Sequence, residues 1–409
     1  MTEPWLEGTE VARPDGPVAA PATRPARDRP TWIAYVQLAS WAWFLYAFGA
    51  TQALLRDEQG TTRSVAALHG TTLAIGGLLA ALLAAHVIDR WGRGIVLRVS
   101  AVAAAASVLL YTIPSAGLPV TLAGAGLASF FGTFLLIAIN AFLLDYQGRA
   151  GPAALTEANA LASLAGLMGP LAVGIGAATV LGWRVGIWVV VVALLAVELW
   201  RGRHVAVFGT RALAATEDAA GRLPRRVLWS LGTIMCFLGA EFCLTFWGAD
   251  LLRERCGFGP AAAAASLGTI TGGMLIGRAW GSRLAQRMPT ETLLKASILF
   301  ALAAFALAWS FTLWPVVLLG LLLTGVGIGV HWPLGVARVV RSSGGMTDRA
   351  SASASIAGSI AIGVAPIALG VLSDTVGFHV AFLLVPVLLL TALGLLVVRP
   401  VADVAAIQP

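Results

Sequence analysis

The sequence predicts an all-α polytopic membrane protein, with twelve transmembrane helices in two pseudo-symmetric six-helix bundles. Three observations predict it. Of the 409 residues, 11% are charged and 58% are apolar, whereas an average soluble domain is roughly 25% charged. The apolar residues run in blocks long enough to cross a bilayer, which takes about 20 residues as a helix. Two halves of the chain repeat each other at nearly one offset. With a mean hydropathy of +0.85, the chain has too little polar surface for a soluble enzyme, a disordered regulator or a coiled coil.

Residues 1–30 are rich in Pro, Ala and Arg without apolar periodicity and read as a disordered cytoplasmic tail. The first apolar run, 31–55, is too long for a signal-peptide core of roughly 7–15 residues and is the first span. Further blocks at 64–88, 95–113, 118–144, 153–181 and 183–200 complete an N-terminal bundle over 31–200. A polar stretch at 201–226 holds six arginines and reads as a cytoplasmic linker. Blocks at 227–252, 260–285, 291–311, 313–337, 350–373 and 377–398 form a C-terminal bundle over 227–399, and 400–409 is a second cytoplasmic tail. Runs of this length must be helices, because only a helix satisfies its own backbone in lipid.

The net charge of +7 comes from 26 arginines and one lysine, Lys295, scattered between the apolar blocks. That is a pattern of membrane orientation rather than a nucleic-acid face. With the N-terminus in the cytoplasm, 22 basic residues fall inside and five outside: Arg56, Arg63, Arg184, Arg253 and Arg255. The split predicts that both termini lie on the cytoplasmic side of a cell inner (plasma) membrane. Cys236, Cys243 and Cys256 form no CxxC pair and read as packing residues. No metal or cofactor is expected.

The internal repeat rests on three anchors. Leu54-Leu55-Arg56-Asp57 recurs as Leu251-Leu252-Arg253-Glu254 at a spacing of 197. Gly169-Pro170 with Gly174 matches Ala365-Pro366 with Gly370 at 196, and Gly182-Trp183-Arg184 matches Gly377-Phe378-His379 at 195. Duplicated halves of this kind characterise secondary transporters, in which one half rocks against the other around a central site. Gly169, Pro170, Pro366 and Gly370 are the expected helix-packing and hinge positions.

Between spans 2 and 3 the chain reads Ala85-His86-Val87-Ile88-Asp89-Arg90-Trp91-Gly92-Arg93-Gly94. A basic turn would fix topology by itself, but it leaves Asp89 unexplained. The loop resembles the Gly-x-x-x-Asp-Arg-x-Gly-Arg-Arg motif of the major facilitator superfamily. Asp89, Arg90, Gly92 and Arg93 match, while Ala85 and Gly94 depart from the pattern. A degenerate echo, Gly281-Ser282-Arg283-Leu284-Ala285, stands in the second half, and the 6+6 layout extends the resemblance over 31–399. The resemblance implies that Asp89 engages the start of span 11, near Ser351–Ser355, and latches the halves when the cavity faces outward. An acid at a helix N-terminus is typically worth ~0.3–1 kcal/mol when exposed. Arg93 is expected to pair with Asp145, and the latch set is Asp89, Arg90, Gly92, Arg93 and Asp145. Drug–proton antiporters of the superfamily also carry a Gly-Pro-x-x-Gly-Gly run in helix 5 and an arginine in helix 4. Here Gly169-Pro170 is present with its following glycines shifted, and span 4 has no arginine.

Ionisable groups at membrane depth cost roughly 2.5–3.5 kcal/mol each on insertion scales, so they mark function. Glu241 lies deep in span 7, on a face with Thr245 and Gly248, and is the expected proton-coupling residue. His331 in span 10 is followed by Trp332 and Pro333, and the proline should loosen that helix. Asn140 in span 4 shares a face with Ser129, Thr133 and Leu136, and Gln37, Trp41, Phe44, Phe48 and Gln52 share one in span 1. The resemblance implies that helices 1, 4, 7 and 10 line the cavity. That gives an expected substrate-binding set of Gln37, Trp41, Phe44, Gln52, Asn140, Thr245, His331 and Trp332. Arg278 and Arg338, at span edges, read as snorkelling side chains. The cavity is therefore expected to be aromatic, weakly polar and nearly free of fixed charge.

These features predict a secondary active transporter working by alternating access, with protons as coupling ion and the lipid bilayer as solvent. Efflux of a small amphipathic molecule leads, and uptake of a small nutrient or organic anion is the alternative. The chain is not expected to be an enzyme. It has no G-x-x-x-x-G-K-[ST] loop for ATP, and its five histidines are scattered where a membrane transferase would cluster them. A receptor or chaperone on the same fold has no sensor domain to support it. A monomer is expected, since two halves complete the structure within one chain.

Overall fold

A computed structural model describes residues 25–202, 208, 223–285, 287–344 and 346–401. Of the expected tails at 1–30 and 400–409, residues 1–24 and 402–409 lie outside the described residues, as does most of the 201–226 linker, while Arg29 and Pro30 already belong to the first helix. The first half comprises α1 (Arg29–Gln59), α2 (Arg63–Trp91), α3 (Arg93–Tyr111), α4 (Leu118–Gln147), α5 (Gly151–Ala177) and α6 (Arg184–Arg201). The second comprises α7 (Arg225–Cys256), α8 (Pro260–Ser266), α9 (Gly268–Leu284), α10 (Thr290–Ser310), α11 (Trp314–Ile328), α12 (His331–Ser342), α13 (Thr347–Val376), α14 (Phe378–Ala381) and α15 (Leu384–Val398).

Among the described residues, eleven helical segments are long and apolar enough to cross a membrane. The twelfth segment is α6, whose 18 residues include Arg184, Glu198 and Arg201. The outward faces are apolar: Val387, Leu390, Val397 and Val398 of α15 are each more than half exposed, as lipid-facing residues are. Spans 8, 10 and 12 are each broken into two helices. In span 10 the break falls at Gly329 and Val330, ahead of Pro333. Pro333 occupies the first turn of α12, where a missing N–H is tolerated.

The two halves pack alike. In the first, α1 lies against α5 and α6, and α4 against α2 and α3; in the second, α7 lies against α13 and α15, and α11 against α9 and α10. The contacts between halves are paired in the same way, α2 with α13 and α5 with α8 and α9, while α1 meets α7. Pro170 and Pro366 sit inside α5 and α13, which run on through both. Gly169 packs on Trp43 and Ala47 of α1, and Gly370 on Arg63 and Trp247. The buried Trp247 indole donates to the Pro366 carbonyl at 2.9 Å. Between α2 and α3 the chain turns at Gly92 with φ +77°, a conformation that favours glycine.

Candidate functional site

The site is organised by the crossing of α1 and α7. A Cβ at Gly49 would run into the Thr245 carbonyl, so the two backbones touch there. Residues that meet near the crossing are separated in sequence by almost the repeat offset. Tyr46 and Glu241 are 195 apart, Arg56 and Asp250 are 194 apart, and Gly49 precedes Thr245 by 196 (245 − 49). Contact between near-equivalent positions places all of them close to the axis relating the halves.

On one side of the crossing the halves are joined by charge. Arg56 grips Asp250 at 2.7 Å, with side chains 12% and 2% exposed, and Arg253 pairs with Asp57 at 2.7 Å. Arg63 is paired with Glu254, and the Ser64 amide donates to Asp374 at 3.2 Å. Below this layer Phe48 meets Phe246 at 5.4 Å between centroids.

On the other side a cavity of about 460 Å³ opens between the halves, towards the end that carries Asp89. Its walls include Trp41, Leu45 and Tyr46 of α1, Leu136 of α4, Asn159 and Ser163 of α5, Arg278 of α9 and Trp332 of α12. Arg278 is the only charged side chain among the described residues that line it. Its guanidinium donates to the Tyr46 hydroxyl at 3.2 Å, the Ser163 hydroxyl at 3.4 Å and the Gly329 carbonyl at 3.3 Å. Tyr46 in turn donates to Glu241 at 3.5 Å. Glu241 is 5% exposed and lies behind Tyr46, outside the wall. A chain from Arg278 through Tyr46 to Glu241 therefore crosses twice between the halves at the inner end of the cavity. The break after α11 supplies part of it, because Gly329 presents its carbonyl to Arg278 there.

Of the substrate-binding set expected from sequence, Trp41 and Trp332 reach the cavity wall. The others are turned elsewhere. Gln37 is fully buried, donating to Glu198 at 2.8 Å and accepting from Arg201 at 2.7 Å. Gln52 donates to the Tyr111 hydroxyl at 3.1 Å, and Phe44 packs edge-on against the same ring. Thr245 bonds its own helix, at the Glu241 carbonyl. His331 is stacked on Phe237 at 4.1 Å inside the second half, with both ring nitrogens unpartnered. Asn140 is half-buried and is not among the lining residues, and its Oδ1 has no partner. The reason is that α1 and α7 are buried on nearly every side. A polar stripe on such a helix marks the bundle interior as readily as a cavity.

Two further expectations are corrected. Arg338 does not snorkel: it is fully buried, donating to Glu291 at 2.7 Å, Ser230 at 2.9 Å and the Arg399 carbonyl. Arg278 does not snorkel either, and it gives the cavity the fixed charge that the sequence reading left out. Sequence reasoning also missed Tyr46. Its position one repeat offset before Glu241 was the available signal, since equivalent residues of helices 1 and 7 meet at the axis.

In the loop motif, Arg93 is buried and paired with Asp145. Asp89 and Arg90 are exposed, and neither has a hydrogen-bond or ion-pair partner among the described residues. Between α2 and α13, Thr71 donates to the Gly363 carbonyl at 3.0 Å and Gly363 faces Ala74, both well short of Asp89 along α2. Among the described residues, Asp89 forms no hydrogen bond or ion pair with the start of α13 in this conformation.

The fold is shared with solved transporters at low sequence identity. The nucleoside transporter NupG superposes with a TM-score of 0.68 at 12% identity, covering 90% of this chain and 98% of that one. A bacterial homologue of the human lysosomal transporter Spinster, in an inward-facing and unoccupied conformation, gives 0.67 at 14% identity, over 91% and 95%. A variant of the E. coli fucose:proton symporter FucP gives 0.61 at 17%, over 90% and 98%. No curated protein sequence matches the chain. The sequence profile of the Major Facilitator Superfamily matches residues 33–309, and with the twelve-segment fold and the cavity at the junction of its halves, the chain belongs to that superfamily of alternating-access secondary transporters.

Proposed function

We propose that the chain carries a small amphipathic solute across the bacterial inner membrane, coupled to protons through Glu241. The observation that carries this reading is the Arg278–Tyr46–Glu241 chain. A buried carboxyl that contacts the opposite half through one hydroxyl links its protonation to the position of the two halves. Trp41 and Trp332 supply flat apolar walls for the solute. The excess of arginine at the Asp89 end supports a cytoplasmic position for that end and for both termini. The cavity then opens inward, and the Arg56–Asp250 layer is the closed outer gate. Asp89 is the latch for the opposite state, released here, and Arg90, Gly92, Arg93 and Asp145 hold its loop in place. Residues 31–200 and 227–399 are the rocking units, flexing at Gly169-Pro170 and at Pro366 with Gly370. A single chain is the working unit.

Efflux suits a cavity without fixed charge. With Arg278 in the wall that premise is gone, and we propose proton-driven uptake, the direction in which a solute that loads together with a proton is drawn by the proton gradient. The test is proton flux in sealed proteoliposomes over a panel of amphipathic compounds, wild type against Glu241→Gln. Solute-driven proton movement lost in the variant supports the reading. Movement unchanged by the variant returns Glu241 to a packing role.

A further inference from the structure

We propose that the transported solute is a monoanionic carboxylate with an apolar, aromatic-sized body, and that Arg278 is the group that binds its carboxylate. The inference rests on the transport reading above and deepens it.

The argument begins with what Arg278 lacks. The buried Arg93 and Arg338 and the half-buried Arg56 each hold a carboxylate: Arg56 has Asp250 at 2.7 Å, Arg338 has Glu291 at 2.7 Å and Arg93 has Asp145. Among the described residues, Arg278 has no carboxylate within ion-pairing distance. Its three bonds, at 3.2, 3.3 and 3.4 Å, all exceed the ~2.7–2.9 Å of charge-assisted bonds. All three go to neutral oxygens. A guanidinium held this loosely at the wall of a cavity has free capacity for a bidentate acceptor. The cavity offers a single fixed positive charge, which fits one carboxylate and not a phosphate ester, which would demand more than one cation. Trp41 and Trp332 stand on the walls and fit a flat or apolar body.

Charge balance then fixes the coupling. The charged or titratable groups that act on Glu241 from packed helices are Arg278 of α9 and Tyr46 of α1. Empty, the site is neutral when Glu241 is ionised across Tyr46 from Arg278. Loaded with the anion, it is neutral only when Glu241 has taken up a proton. A proton alone leaves an unbalanced positive charge and the anion alone an unbalanced negative one, and burying either is disfavoured. Tyr46 relays the state of one group to the other: with Glu241 neutral, its pull on Arg278 is relaxed and the guanidinium turns to the solute. Proton and anion therefore load together, which is symport with one proton per anion and no net charge moved.

Calorimetry on the purified full-length protein tests this, with phenylacetate, octanoate and indole-3-acetate as probes and their primary amides as controls. Titrations in buffers of different ionisation enthalpy count the protons taken up. The expected result is binding of at least one carboxylate, at least ~10-fold weaker binding of its amide, and uptake of about one proton per anion. Arg278→Gln should abolish the preference for the acid and Arg278→Lys should keep part of it, with size-exclusion profiles checking that both variants fold. Glu241→Gln should bind the anion without proton uptake. Equal binding of acid and amide, no binding by any of the three acids, or full binding in Arg278→Gln overturns the assignment. Proton flux driven only by neutral or cationic compounds would also overturn it, while leaving proton-coupled transport standing. Carboxylate binding with proton uptake but no flux would instead count against the transport reading.

Discussion

Arg56 of α1 and Asp250 of α7 hold each other across the two halves through two bonds, Nη2 to Oδ1 at 2.7 Å and Nη1 to Oδ2 at 2.8 Å. They lie one helical stretch beyond the backbone contact at Gly49, and Asp57 with Arg253 and Arg63 with Glu254 widen the layer. Each pair joins one half to the other, so in the proposed rocking motion the energy of the layer favours the conformation whose cavity opens at the Asp89 end. It is a term in the rocking equilibrium as well as in folding.

Asp250→Asn should therefore bias the protein towards the opposite conformation. Removing one partner of a largely buried pair typically costs ~3–5 kcal/mol. Neighbouring Asp57 and partial solvent access reduce this to about 2 kcal/mol, roughly thirty-fold in the two-state ratio. Spin labels on α2 and α13 at the Arg56–Asp250 end should report a longer distance in the variant. Arg56→Asp with Asp250→Arg should return it to the wild-type value.

Gly49→Val should act on the same equilibrium by sterics. The side chain has no room against the Thr245 carbonyl, so α1 and α7 must part. A cysteine pair placed at Ser64 and Asp374, which touch in this conformation, should cross-link at least ~10-fold more slowly in the variant. Equal rates would contradict the close crossing.

Tyr46→Phe removes the hydroxyl that joins Arg278 to Glu241 and leaves the ring in place. Both bonds are long, so the lost stabilisation is about 1 kcal/mol. Solute affinity should fall several-fold, and the protons moved per solute should drop below the wild-type ratio. A variant with unchanged coupling would remove Tyr46 from the relay.

Trp41→Ala and Trp332→Ala should each weaken solute binding by about ten-fold, through lost apolar contact. Phe44→Ala, whose ring faces Tyr111, should lower thermal stability, by ~3 kcal/mol for a buried aromatic, with less effect on affinity in the folded fraction. Binding titrations and melting curves on the same preparations separate the two.

Charge reversal tests the motif loop. Arg93→Asp and Asp145→Arg should each reduce transport, and the double variant should restore it, since the pair depends on complementarity rather than on which helix bears which sign. Failure of the double variant to recover would remove the pair from the latch.

The twelve segments and their duplication were legible because membrane spans are written in long apolar runs and in the placement of arginine. Glu241 stood out for the same reason, as an acid inside a long apolar run, and the structure buries it behind Tyr46. The cavity wall was much less so. Gln37 and Gln52 share a stripe with Trp41, yet they satisfy their amides inside the first half, on Arg201, Glu198 and Tyr111. The stripe that faces the cavity is shifted by about one residue, to Leu38, Ala42, Leu45 and Tyr46 alongside Trp41. A helix surrounded by protein shows no polarity contrast to reveal such a shift. Arg278 and Arg338 look alike in sequence, both near the ends of spans. Only the fold shows that one meets Glu291 and the other an open cavity, because that difference depends on which helix lies opposite.

The central claim is that Glu241 couples proton movement to solute movement without being needed for the solute to cross. The most direct test measures two activities of Glu241→Gln in the same proteoliposomes: exchange of labelled for unlabelled solute at equilibrium, and accumulation driven by an imposed pH gradient. The account predicts exchange near the wild-type rate with accumulation abolished. Accumulation retained at the wild-type level, or exchange and accumulation lost together in a correctly folded variant, would contradict it.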